Sequence, residues 1–286
     1  MELATRIASV LGTHVCGLHT LAGGCVADVV RADLRDGRRV VVKHGGEGFR
    51  VEAMMLRTLA SRSALPVPAV LHDEPDLLII EYVEHDGARG PGLERHAAEL
   101  FAALHAVEGP AFGIDTDTGL GTDTLIGPLR QPCPPTHHWV EFFAAHRLGH
   151  FGDIAIARRA ISASCRDRIG RLATRLGEVL DEPEHPSLIH GDVWSGNILC
   201  RGGRVVSCID PAVHYAHPEV ELAFITLFST FGAEFFDRYN ELRPIRDGFF
   251  ETRRHVYNLY PLLVHAILFG GGYGGQVEAT LGRIGA

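Results

Sequence analysis

His190-Gly191-Asp192-Val-Trp194-Ser-Gly-Asn197 sets a carboxylate and a carboxamide five positions apart, in a glycine-containing loop that follows an apolar run. Thirteen residues further on, a second apolar run, Val205 to Ile209, ends in Asp210. An Asp and an Asn in a loop can be no more than turn caps, because their short side chains readily bond nearby backbone. A third, suitably placed oxygen donor changes that reading. Phosphoryl transfer from ATP needs a carboxylate to orient or deprotonate the acceptor hydroxyl, and hard oxygen ligands to hold Mg²⁺ on the phosphates. Asp192 suits the first role, and Asn197 and Asp210 the second.

Upstream features agree in order. A glycine turn, Gly23-Gly24, can cover phosphates through backbone N–H groups. Lys43 closes the strand-like Val40-Val41-Val42 run, and Glu52 lies on the next helical stretch, where it can fix that lysine. The strand end Glu81-Tyr82-Val83 precedes a polar, hinge-like segment and would face an adenine. Each signal is weak alone: Gly23-Gly24-Cys25 lacks a full G-x-G-x-x-G, and a lone helix glutamate is usually a solvated charge. Their common order carries the argument. Lys43 is also the only lysine beside 26 arginines. A compact ammonium suits a place among phosphates better than a planar guanidinium fork does.

The elements that must position these residues divide the chain near residue 85. Leu3 to Leu11 predicts a helix, followed by a β-prone segment into Leu21. Val26 to Leu34 and Arg38 to Lys43 predict strands joined at Asp36-Gly37 by a tight hairpin with both central positions at positive φ. Val51, Met54, Met55 and Leu59 mark one face of a helix over Glu47 to Ala60. Ala69 to His72 and Leu77 to Val83 complete five strands. Residues 1–85 therefore predict a five-stranded antiparallel sheet with one helix against it. Residues 86–286 predict a mostly helical lobe, with helices near Leu93 to Val107, His138 to His150, Ala163 to Leu180, Glu219 to Phe231 and Phe249 to Phe269. One β region, Leu188 to Asp210, interrupts them. The fold class is α+β, with nucleotide bound between two lobes.

Composition narrows the partners. Thirty-five acidic against 27 basic side chains give a net charge of −8, which opposes nonspecific nucleic-acid binding. No apolar run reaches the roughly 18 residues of a membrane span, and the start of the chain lacks secretory-signal features, so the expected place is the cytoplasm, with no membrane partner. The six cysteines form no CxxC pair and the histidines no ligand-like cluster, so neither zinc nor a thioredoxin-type site is expected. Cys25, inside the presumed phosphate turn, reads as a small residue tolerated in a tight loop or as a redox-sensitive thiol.

The Asp-x-x-x-x-Asn spacing followed by a metal-binding Asp is that of the protein-kinase catalytic loop, with HGD for HRD and Asp-Pro-Ala for DFG. More specifically, GGCVADV, VVVK, FGIDTDTGLG, WVEFFAAHRL, LIHGDVWSGN, IDPAVHYAHPEVELAFITLF and LYPLLVHAILFGGGY make the chain resemble the fructosamine kinase (ketosamine kinase) family, relatives of aminoglycoside and choline kinases. The resemblance implies a kinase-like fold and Mg-ATP-dependent phosphorylation of a ketosamine, small or protein-bound, at the sugar 3-hydroxyl. The product would then release the amine spontaneously, giving protein repair by deglycation. By position, Asp192 would be the base, Asn197 and Asp210 the magnesium ligands, Lys43 and Glu52 the phosphate-side pair, and Glu81, Tyr82 and Val83 the adenine hinge.

Val264 and Ile267 stand where the family usually has Asn, leaving His265 and Tyr273 as substrate-pocket candidates. Trp194 reads either as a flat wall against the substrate or as packing between lobes. Glu219 and Glu221 read as holding the catalytic loop from a helix start. A monomer is expected, with a dimer as the alternative. The rival functions are a kinase for another alcohol, such as an aminoglycoside, choline or sugar, and a catalytically inactive kinase-like binding protein.

Overall fold

The computed structural model describes residues 2–21, 28–114 and 123–286. Helix α1 (Leu3–Leu11) leads into a five-stranded antiparallel sheet ordered β1-β2-β3-β5-β4, made of β1 (Val15–Thr20), β2 (Asp28–Leu34), β3 (Arg39–His44), β4 (Val70–Glu74) and β5 (Leu77–Glu81). Helix α2 (Phe49–Arg62) connects β3 to β4. The run Leu77-Leu78-Ile79-Ile80 shows why both faces of the sheet are covered. Leu77 and Ile79 pack with Ile7 of α1, Ala32, Val40 and Val42, whereas Leu78 and Ile80 pack with Phe49, Ala53 and Leu56 of α2. Side chains alternate along a strand, so a continuous apolar run needs an apolar partner on each side.

The β2–β3 connection differs from the expected turn. Gly37 N–H donates to Leu34 O at 3.0 Å, Leu34 N–H donates to Arg38 O at 2.9 Å, and only Gly37 of the Asp36-Gly37 pair has positive φ. This is a three-residue loop ending in a left-handed glycine, which follows the strand twist while Asp36 stays in an ordinary conformation. Asp36 Oδ1 accepts from Arg38 N–H at 3.0 Å.

Residues 82–90 carry no helix or strand, and the helical lobe follows. It contains α3 (Leu93–His105), the hairpin β6 (Asp123–Ile126) and β7 (Leu129–Pro132), α4 (Trp139–Phe143), α5 (His150–Ala157) and α6 (Ala163–Ala173). Then come β8 (Ser187–Ile189), β9 (Ile198–Arg201), β10 (Arg204–Cys208), β11 (His214–Ala216), α7 (Glu219–Leu227), α8 (Ala233–Leu242), α9 (Arg254–Phe269) and α10 (Tyr273–Arg283). One large core joins these elements, with Phe101, Trp139, Phe142, Phe143, Tyr257 and Tyr260 among its buried aromatics. The β6–β7 hairpin, α8 and α10 were not foreseen. The strands are four residues long, and α10 opens Tyr273-Gly274-Gly275, a poor helix former that depends on packing through buried Val277 and Leu281.

Candidate active site

Strand β8 pairs antiparallel with β11, His214 opposite Ile189, and delivers His190-Gly191-Asp192 to its end. Gly191 has φ +88°, and a Cβ there would overlap the Ala212 carbonyl. No other residue fits that close approach. Ala212 N–H donates to His190 O at 2.8 Å and Ile209 N–H to Asn197 O at 3.0 Å, so main-chain bonds join the Asp192 loop to the Asp210 segment. A 3₁₀ turn at Ser195–Asn197 brings Asn197 back beneath Asp192. Asn197 Nδ2 donates to Asp192 O at 3.0 Å and to Asp192 Oδ2 at 2.9 Å.

Asp210 adopts left-handed backbone, φ +53°, uncommon for a residue with a side chain and often found where function requires it. Its carboxylate meets Lys43 Nζ from β3, which also donates to Glu52 Oε1 of α2 at 2.6 Å. Three distant segments therefore converge on one ammonium whose side chain is only 12% exposed. Burial disfavours the Lys43 charge, but Glu52 and Asp210 outweigh it and raise its pKa, so the lysine stays an ammonium. Asp192 is pushed up to about 7, first by desolvation and then by the Asp210 charge, against the opposing Asn197 hydrogen bond.

The donor set fits magnesium bound to phosphate. Asn197 spends its amide nitrogen on Asp192, which leaves its carbonyl oxygen as a hard donor beside the carboxylate of Asp210. Among the described residues no group of three or more His, Cys, Asp or Glu could hold a metal by itself. A site that shares its ion with phosphate oxygens needs no such group.

A buried brace holds the loop. Glu221 of α7 accepts from Gly191 N–H at 2.6 Å through Oε1, while Oε2 lies 2.8 Å from His105 Nε2, and His105 Nδ1 lies 2.7 Å from Tyr239 OH. Glu221 thus takes the holding role expected of it. Glu219 instead forms a two-pronged pair with Arg253, at 2.6 and 2.7 Å. On the other side, Gln131 Nε2 donates to Ala212 O at 3.3 Å, and Tyr260 OH donates to Gln131 Oε1. His105, Tyr239, Gln131 and Tyr260 were not singled out in the sequence. His105 sits on an apolar helical face, and Gln131 lies on an unforeseen hairpin. Glu221→Ala would strand the Gly191 amide and His105 in the core, so it is expected to destabilise the fold by about 3 kcal/mol, read from the urea midpoint, and to lower turnover as well.

The remaining candidates divide. Tyr82 stacks beneath Arg39 and Arg31, with guanidinium carbons 5.0 and 5.7 Å from its ring centroid, and His85 Nδ1 donates to Val83 O at 2.9 Å. Glu81 ends β5, its backbone N–H donating to Ala69 O at 2.9 Å. Trp194, two residues from Asp192, is 42% exposed and so is not buried in the core. His265 and Tyr273 form their own aromatic group with Phe228 and Phe269, their two rings 5.1 Å apart, and His265 Nδ1 donates to Pro261 O at 2.8 Å. Neither has a hydrogen bond to the Asp192 loop among the described residues. Gly23, Gly24 and Cys25 lie outside the described residues.

Comparison with known proteins points the same way. Over 240 residues, covering 82% of this chain and 77% of the relative, the sequence is 36% identical to a probable ketoamine kinase of Synechocystis. It is 31% identical over 272 residues, 91% of this chain and 76% of the relative, to a chloroplastic protein-ribulosamine 3-kinase of Oryza sativa. A crystal structure of a candidate fructosamine-3-kinase from Thermobifida fusca superposes with a TM-score of 0.86 at 29% identity, covering 99% of this chain and 98% of the other. An aminoglycoside phosphotransferase solved with ADP and hygromycin B shares the fold at a TM-score of 0.70, 18% identity and 99% coverage of both chains. The fructosamine kinase family model matches residues 2–285, and the chain belongs to the fructosamine kinase family.

Proposed function

We propose that this chain uses Mg-ATP to phosphorylate the 3-hydroxyl of a ketosamine, and that the product's breakdown frees the amine and reverses glycation. The observation that carries this reading is the convergence of Lys43, Glu52, Asp192, Asn197 and Asp210 from four separate stretches of chain. Lys43, oriented by Glu52, neutralises phosphate charge. Asn197 and Asp210 would hold magnesium, which supplies charge neutralisation on the phosphates. Asp192 aligns the acceptor hydroxyl and takes its proton, Asn197 having fixed one carboxylate oxygen. Trp194 walls the sugar, the backbone from Glu81 to Val83 takes the adenine, and Gly23-Gly24 covers the phosphates. We place the protein in the cytoplasm as a monomer, with residues 1–85 as the nucleotide lobe and 86–286 as the catalytic and substrate lobe. No described helix is long and apolar enough to cross a membrane.

The test is phosphate transfer from labelled ATP to a panel of fructosamine, ribulosamine, choline and aminoglycoside acceptors. Product on the ketosamines alone is expected, and product only on the other alcohols would overturn the reading. A pH series adds an independent check. Because Asp192 titrates near 7 in the free protein, kcat/KM should fall about tenfold per unit as the pH drops below that value. A flat profile from pH 5 to 8 would remove Asp192 as the base.

A further inference from the structure

A cavity of about 520 Å³ lies beside the catalytic loop, lined by Arg89 from the segment after β5, by Thr226, Ser229 and Thr230 at the end of α7, and by Phe250 and Arg254 where α9 begins. Thr230 Oγ1 donates to Val193 O at 3.0 Å, so the cavity wall is bonded to the residue between Asp192 and Trp194. Ser229 has φ +49°, left-handed backbone in a residue with a side chain, and such strain gathers at functional sites.

Its charges are unusual for a chain of net charge −8. Arg89 donates to Thr230 O at 3.0 Å, and the Arg254 guanidinium carbon lies 5.8 Å from the Phe250 ring centroid. Arg254 Nε is buried without a hydrogen-bond partner among the described residues. Neither arginine has a carboxylate at ion-pair distance among those residues, whereas neighbouring Arg253 is clasped by Glu219. Glu94, the carboxylate in the lining, is already committed to the N–H groups of Gly232 and Phe235, at 3.0 and 3.1 Å. Two guanidinium groups without a carboxylate partner among the described residues, the Ser229 hydroxyl and a phenyl face form a concave site for a carboxylate on a hydrocarbon stem.

We infer that this cavity is a carboxylate subsite that reads the amine-bearing half of the ketosamine, an inference that rests on the ketosamine kinase reading. The carboxylate has two sources: that of a free glycated amino acid, or an acidic side chain beside a glycated lysine in a protein.

Steady-state kinetics separate them. One sugar is placed on the ε-amine of lysine and of lysinamide, and on lysine in amidated peptides flanked by Glu or by Gln. The acid member of at least one pair should show a KM about tenfold lower than its neutral partner at similar kcat. R254Q and R89Q should each erase most of that gap by raising KM for the acid member. Arg89 is exposed, so R89Q gives a reading even if R254Q fails to fold. The pair that discriminates names the source. Equal KM within both pairs, or a preference that survives in both variants, would overturn the subsite and leave the kinase reading standing. Failure to phosphorylate any of the four would remove both.

Discussion

Asp192→Asn is expected to lower kcat on a ketosamine by about 10³-fold while Mg-ATP affinity stays within about threefold. Asn197 Nδ2 now bonds Asp192 Oδ2, and an amide oxygen at 192 can accept the same bond, so the loop keeps its shape. What disappears is the group that takes the hydroxyl proton. The variant should also be the more stable protein at pH 8. A carboxyl whose folded pKa is raised above its unfolded value favours the fold while protonated, and that advantage fades as the pH rises from the ordinary carboxylate range through about 7. At pH 8 the wild type carries a poorly solvated charge that Asn lacks, a difference of about 2 kcal/mol after discounting for partial exposure. Thermal scans at pH 5 and pH 8 would show a gap that widens at the higher pH. A variant with lost turnover and a lower midpoint at both values would point to a structural role for Asp192 instead.

Lys43→Arg should cut kcat/KM for ATP by about 10²-fold, the scale of removing one preorganised charge from a phosphoryl-transfer site. The change preserves the positive charge, so Glu52 keeps a cation beside it. It alters shape: a planar fork must fit where Nζ now sits 2.6 Å from Glu52 Oε1 and against Asp210. Arg175→Lys, in an exposed pair with Glu178, is the control and should change activity less than twofold. Comparable losses in the two variants would show that Lys43 has no special place.

The residues of this site were legible because phosphoryl transfer constrains residue type as well as spacing. Asp192, Asn197 and Asp210 sit on short segments whose apolar strands and turn glycine announce themselves. Lys43 stood out because nothing else in the chain shares its side chain. The supporting residues left weaker marks. Glu221 could be placed at a helix start, but its partner His105 lies 116 residues away, a pairing that only the folded chain makes. Gln131 was hidden because a four-residue strand has too little alternation to register. The β2–β3 loop was misread because Asp-Gly suits both a two-residue turn and a three-residue loop, and the register of Asp33 opposite Arg39 decides between them.

Glycation begins when a neutral, accessible amine attacks the carbonyl carbon of an open-chain sugar. This protein has one lysine side chain, and that one is sunk between two carboxylates and held as an ammonium by a raised pKa. The other 26 basic side chains are arginines, which offer no alkylamine. A protein proposed to undo glycation is thereby built with almost no lysine for glycation to reach, and its one ε-amine is guarded by the contacts that make it useful.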